Sequence, residues 1–534
     1  MVHTIGWVIA GIAGSVLVVI GLWFAFGRPE FTDGELSPRD RIELVKLALA
    51  VIAGVGGIVA LVVAYRRQKV AEAAHQLNEQ AHALNELDQQ RQDTKLFNER
   101  YATALEQLGS AQPAVRLGGV YAMATLADDW EPGRQQCIDV LCAYLRMPYK
   151  PPADPSDYDA HEIEGVENPE IWRKLRHERV QERQVRHTII RVVTDHLRLD
   201  ATDPRSWHRY RFNLSGAMLD GGDFSGVTFA GGQLDFRGAH FVGDSINFSD
   251  AEFAGGTVDF RDAAFTGVAA DFSRTRFTGG VVDFRDAEFT GDSVTFRDAE
   301  FAAGTVDFSR AQFQVHSADF TRARFTGGRV GFHDTGFFGR GVDFSHAQFT
   351  GSLVDFGSAE FLGRRISFRS AHFADGTINL RGATFTGSRF RFRNRVVEFD
   401  SHIVDFTDAR FAGSTVDIGG ARFKAGSTVT FGHAQFAGGS VIFRTAGFVG
   451  GTVDFGDATF SGGSVDFSYA QFDDGTVNFT GAKLVGSKVV FGASEFNGGV
   501  VDLSQPAAYR TPPVFEDQVL SEPPAGLRLP TKCG

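Results

Sequence analysis

Residues able to do chemistry are plentiful in this chain, but few stand at the spacings that chemistry needs. His177-Glu178 opens like a zinc-protease helix, yet Gln181 stands where the second His should be. Cys137 and Cys142 are five apart, the wrong spacing for a zinc knuckle. Many of their neighbours are apolar, so both are expected in a core. The Gly-Gly pairs do not lie between a strand and a helix, so they are not a phosphate loop. Asp259, Asp283, Asp307, Asp343 and Asp355 each precede a Phe and are separated by multiples of 12 residues. Such a carboxylate ladder could in principle do acid–base work or hold calcium. Calcium would need Gly-Gly-x-Gly-x-Asp repeats, which are absent, and nothing gathers carboxylates at one level. Their expected role is to accept hydrogen bonds at chain corners. No catalytic, cofactor or metal site is expected, and the chain is not read as an enzyme.

The element that positions these residues is a repeat. From Phe212 to Leu503 the phenylalanines are spaced 5, then 7, then 5, then 7. The rhythm holds to Phe392, with Leu380 in one Phe position. Two extra residues enter between Phe392 and Phe406, and one between Phe423 and Phe431. A unit such as Val282-Asp283-Phe284-Arg285-Asp286, Ala287-Glu288-Phe289-Thr290-Gly291, Asp292-Ser293 has two short pieces and a spacer. In each piece a small apolar residue and a Phe are two apart, so strand geometry puts both on one face and the polar residue between them on the other. Phe236, Phe241, Phe248, Phe253, Phe260, Phe265, Phe284, Phe289, Phe296 and Phe301 are therefore expected to form a structural core. Gly is expected at the corners, where φ is positive. One unit cannot bury its Phe; a stacked neighbour can, at roughly 1.5–3 kcal/mol per ring before ordering costs. The result is a solenoid. About 24 residues per coil is expected, since a 12-residue coil would crowd its interior.

Phe212-Asn213-Leu214-Ser215-Gly216, Ala217-Met218-Leu219-Asp220-Gly221 and Gly222-Asp223-Phe224-Ser225-Gly226 resemble the pentapeptide-repeat family. The resemblance implies a β-solenoid, a right-handed quadrilateral β-helix. The regular two-residue spacers depart from the family pattern. Phe97-Asn98-Glu99-Arg100-Tyr101 and Val115-Arg116-Leu117-Gly118-Gly119 resemble the helical segment preceding the repeats in membrane-anchored bacterial members. That likeness implies an architecture, not an activity.

The chain has 534 residues, a net charge of −12 and 51 phenylalanines. Its three cysteines give no disulfide framework and suit a reducing compartment. Ile5 to Phe26 and Leu47 to Ala64 are each apolar and long enough to span a bilayer. Gly54, Gly56 and Gly57 would let the two spans pack closely. The reading is a transmembrane helical hairpin over 1–69, a membrane-proximal helix over 70–96 and a helical domain over 97–147. A linker and basic helix (148–210), the solenoid (211–503) and a disordered tail (504–534) follow. The hairpin makes the protein multi-pass in the cell membrane, with the large C-terminal part expected in the cytoplasm. Val70, Ala74, Leu77, Ala81 and Leu84 form a short heptad seam, compatible with a homo-oligomer or with a plain amphipathic helix. Arg173, Lys174, Arg176, Arg179, Arg183, Arg186, Arg191 and Arg198 read as a solvated helical face, with contact to anionic headgroups or nucleic acid as the sharper alternative.

Expected partners are the lipid bilayer and an unidentified protein; nucleic acid is not expected. The functional expectation is a membrane-anchored scaffold presenting the solenoid for protein binding. The alternative, implied by the family, is a duplex-DNA mimic that regulates a type II topoisomerase. Arg322, Arg324, Arg329, Arg340, Arg364, Arg365, Arg369, Arg381, Arg389, Arg391, Arg393 and Arg395 make a poor copy of a phosphate backbone.

Overall fold

The computed structural model describes residues 37–152, 168–363, 365–392, 397–509, 514 and 524–530, with isolated positions between 13 and 24. The chain divides into two compact units, Met1–Asn98 and Glu99–Gly534.

Helix α1, Pro38–Leu108, has 71 residues. The expected boundaries at 69/70 and 96/97 therefore fall inside one unbroken helix. Composition turns from apolar to polar near the first of these points, but no Gly or Pro stands at either one to break the backbone. Its apolar stretch is open, with Leu47 67% and Leu61 72% exposed. α1 is one helix long and apolar enough to cross a membrane. A Cβ placed at Gly54, Gly56 or Gly57 meets nothing within 4 Å, so no described residue packs there. Most of Ile5–Phe26 lies outside the described residues. The seam residues Val70, Leu77 and Leu84 are exposed.

In the second unit, α2 (Pro113–Asp129), α3 (Arg134–Arg146) and α4 (Pro169–Arg198) form a small cluster. α4 begins on a capped turn, where the Asn168 side chain accepts from the Glu170 N–H at 2.9 Å. Val185, Ile189, Ile190, Val193 and Leu197 give it a buried face. α3 packs on the first strand of the solenoid and α4 on the third and fourth. The helices thus cover an end that would otherwise expose backbone groups and the first ring. Trp207, fully buried, joins the two parts: it stacks on His196 at 4.0 Å and lies 6.4 Å from Phe212.

The solenoid is four parallel sheets of 14, 13, 12 and 12 strands. We number them in order from Arg211–Asn213, Met218–Leu219, Gly222–Asp223 and Thr228–Phe229. One coil contributes Val281–Asp283, Glu288–Phe289, Ser293–Thr295 and Glu300–Phe301, one strand to each sheet. Phe265 pairs with Phe289 and Phe289 with Phe313, so the coil is 24 residues. The inserted residues keep this register. Phe373 pairs with Phe399, a step of 26, and Val404 with Val429, a step of 25; the 24-residue step then returns at Val429 and Val453.

Tight corners differ from the glycine expectation. In Phe284-Arg285-Asp286-Ala287 the Ala287 N–H donates to the Phe284 carbonyl at 3.1 Å, and only Asp286 has a positive φ, 60°. That is the signature of a type II turn. At this position the chain mostly uses non-glycine residues: Asp250, Asp262, Arg274, Asp298, Arg310, Arg322 and even Ala493. Asp tolerates the left-handed region better than most residues. The wider corner between the fourth and first sheets does need glycine. Gly280 has φ +69°, and a Cβ there would meet the Gly256 carbonyl oxygen at 2.5 Å.

Candidate interaction surface

The solenoid turns its uniform residues inward and its variable ones outward. Phe236, Phe241, Phe248, Phe253, Phe260, Phe265, Phe284, Phe289, Phe296 and Phe301 are all 0–1% exposed. Their rings stack coil on coil: Phe260 on Phe284 at 4.6 Å and Phe284 on Phe308 at 4.7 Å. The separation is that of strands in a ladder, so ring stacking and backbone pairing are satisfied together. Any function therefore falls to the outward side chains and the corners.

On the first sheet the outward carboxylates stitch neighbouring coils. The Arg237, Arg261 and Arg285 backbone N–H groups donate to Asp235, Asp259 and Asp283 two residues back at 3.0–3.1 Å. Asp at this position thus closes a corner. Each arginine then reaches the carboxylate of the next coil: Arg237 is 3.6 Å from Asp259, and Arg261 3.6 Å from Asp283. At the tight corners Arg274 grips Asp250, Arg310 grips Asp286 and Arg322 grips Asp298 at 2.6–2.7 Å. These guanidiniums donate to the three carboxyls and hold them below the usual aspartate range, with slight burial pulling weakly the other way. On the fourth sheet Arg276 meets Glu252, and Arg324 meets Glu300 at 2.8 Å.

The pairing is interrupted part-way along and resumes at Arg381–Asp408, Lys424–Glu398 and Arg444–Asp466. Arg340, Arg365, Arg369, Arg389 and Arg391 are exposed, and none has a carboxylate within ion-pair distance among the described residues. Arg364, Arg393 and Arg395 lie outside those residues. The sequence could not separate these groups, because the pairing depends on which residue stands one coil away.

The basic helix is only in part a solvated face: Arg173 and Lys174 are exposed, but cations further along are taken up inside the fold. Arg186 is 2% exposed; its guanidinium donates to the carbonyls of Tyr144 at 3.2 Å, Leu145 and Met218. Arg183 pairs with Asp220 at 3.0 Å, and Tyr149 donates its hydroxyl to the same carboxylate at 2.8 Å. Arg198 pairs with Asp223 at 3.1 Å. These cations fasten the helices to the first coil, whereas Arg191 donates to the Tyr121 hydroxyl at 2.7 Å. Cys137 and Cys142 are buried, and burial pushes both thiols up to about 12, so neither is a ready nucleophile. Among the described residues no group of His, Cys, Asp and Glu could hold a metal ion.

One polar residue inside the tube was missed by the sequence reading. His402 is fully buried at a corner between the fourth and first sheets. Its Nδ1 accepts from the Gly376 N–H at 3.1 Å, and its Nε2 has no partner among the described residues. Burial lowers its pKa to about 4, helped by nearby His372. The signal was present: position 402 aligns with Gly376 and Ser427, where no other coil places an imidazole.

Parallel sheets, a 24-residue coil and inward phenylalanines define a quadrilateral β-solenoid. Residues 214–263 match the family model described as pentapeptide repeats (9 copies), so that segment carries the repeats of that family. The same register continues far beyond the matched segment. A solved structure of trypsin-treated QnrB1, a plasmid-mediated fluoroquinolone resistance protein, also matches. It is 16% identical, over 50% of this chain and 84% of that chain, with a TM-score of 0.12. No curated protein sequence matches the chain.

Proposed function

We propose that this protein is a membrane-anchored, non-catalytic scaffold whose solenoid displays flat faces to another protein. The observation that supports this most is the division of labour in the repeat. Every coil spends its inward residues on the same packing, leaving four long, regular faces that differ only in outward side chains. Such surfaces suit extended protein contact. The exposed apolar stretch of α1 supports the anchor, with a first span at Ile5–Phe26 completing a hairpin and the large part in the cytoplasm. The seam from Val70 to Leu84 would let two copies pair.

The test is affinity capture of the full-length protein from its native membrane. The expected result is a stable protein partner that is lost when outward residues of one sheet are replaced while the inward phenylalanines are kept. Capture that is indifferent to every such replacement overturns the scaffold. The topoisomerase-directed DNA mimic remains the second reading, favoured by the acidic net charge of −12. It asks for uncompensated carboxylates, whereas the first-sheet aspartates are bridged by Arg237, Arg261 and Arg285. Inhibition of gyrase supercoiling by the full-length chain would decide for it.

A further inference from the structure

We propose that the edge between the second and third sheets, around residues 338–391, docks onto an anionic lipid surface. Three observations converge there. First, Arg365 and Arg389 are direct partners in the third sheet, stacked like on like, and Arg391 stands on the same strand as Arg389. Like charges directly opposite one another destabilise a sheet. In earlier coils this protein avoids that cost by placing a carboxylate one coil from an arginine, as at Arg274 and Asp250. Here Arg365 has Gly341 and Arg389 as its neighbours, only Arg391 has a carboxylate, Asp417, one coil away, and Arg340 extends the cluster at the same edge.

Second, the acids on this face make no ion pair with these arginines among the described residues. Asp343 and Asp417 share the outward column with Arg391. Their carboxylates accept from the N–H groups of Ser345 at 2.8 Å and Gly419 at 3.2 Å. Glu360 is exposed on the adjoining second sheet and is likewise in no ion pair among the described residues. Third, the same edge carries two large apolar side chains in successive coils. Leu362 is 47% exposed and Phe338 is half-buried. One coil apart, they occupy the level that Thr266, Thr290 and Thr386 hold in nearby coils and that the smaller Val242, Ala412, Ala437 and Val485 hold further away. Apolar groups flanked by arginines suit the boundary between headgroups and acyl chains. A nucleic-acid backbone would reward the arginines but not Leu362. The α1 span would raise the local lipid concentration; the inference rests on the membrane reading for that tether alone, not for the face.

The experiment uses the full-length chain with Cys533→Ser and Thr386→Cys, labelled at the new thiol with a polarity-sensitive fluorophore. It is reconstituted in phosphatidylcholine vesicles or in vesicles containing phosphatidylglycerol. The expected result is a blue shift, and quenching by a lipid-borne quencher, only in the anionic vesicles. Arg365→Ala with Arg389→Ala should abolish the shift, while Arg322→Ala, an arginine already paired, should keep it. Far-UV circular dichroism verifies that each variant is folded. No shift in anionic vesicles, an equal shift in neutral ones, or a response to a 20-base-pair duplex in its place would overturn the proposal. Carbonate extraction from neutral vesicles tests the span separately. If the chain is extracted yet the label responds to added anionic vesicles, the anchor falls and the face stands.

Discussion

His402 is the residue with the most to lose from acid. Its Nδ1 already accepts a backbone N–H, so a second ring proton would face a donor inside an apolar tube. The unfolded chain takes that proton near the ordinary histidine pKa of 6.5, and the folded chain only near 4. Stability is therefore fully present above pH 6.5, falls as pH drops toward 4, and loses nothing further from this group below that. The loss is on the order of 3 kcal/mol. His402→Ser, copying Ser427 of the next coil, should flatten the melting temperature between pH 6.5 and 4. A variant with an unchanged slope would show that the sensitivity lies elsewhere. The carboxyls of Asp250, Asp286 and Asp298 act in a different window. Held below the usual aspartate range by their arginines, they contribute above about pH 4 and lose that contribution as pH falls through their folded values.

At the scale of the corner, the recurring left-handed residue is a distributed cost. Asp and Arg at this site recover some of it by pairing across coils, but Ala493, at φ 51°, has no side chain to pair. Ala493→Gly should raise stability by about 0.5 kcal/mol, the relief of left-handed strain exceeding the added freedom of the unfolded chain. Chemical denaturation would show this as a higher midpoint with unchanged slope. The strands themselves were legible from sequence, because Val282 and Phe284, or Ala287 and Phe289, stand two apart and must share a face. The corner was not. Nothing in Arg285-Asp286 announces a positive φ, and the glycines nearby drew attention to the wider corner instead. The interaction surface was legible only as a list of arginines. Arg322 and Arg365 look alike in sequence and part company only when Asp298 is found one coil from the first and Gly341 one coil from the second.

For the whole molecule, stability builds by neighbours: each coil touches the one before and the one after. Deleting Thr452 to Gly475, one full 24-residue coil, should leave a folded solenoid, since Thr476 then follows Gly451 in register. Deleting only Val453 to Asp457 should be far worse. It removes one side, and every later strand arrives at the wrong face of the tube. Limited proteolysis would separate the two: a resistant, shortened core in the first case, and loss of everything beyond residue 452 in the second.

Because rings and backbone share one spacing, the solenoid is also a ruler. Two outward groups on one face can be separated only by whole numbers of strand widths, about 4.8 Å each. A ligand that grips the tube at two heights must match one of those tick marks, and adding or removing a coil would change its grip by a whole mark, never by a fraction.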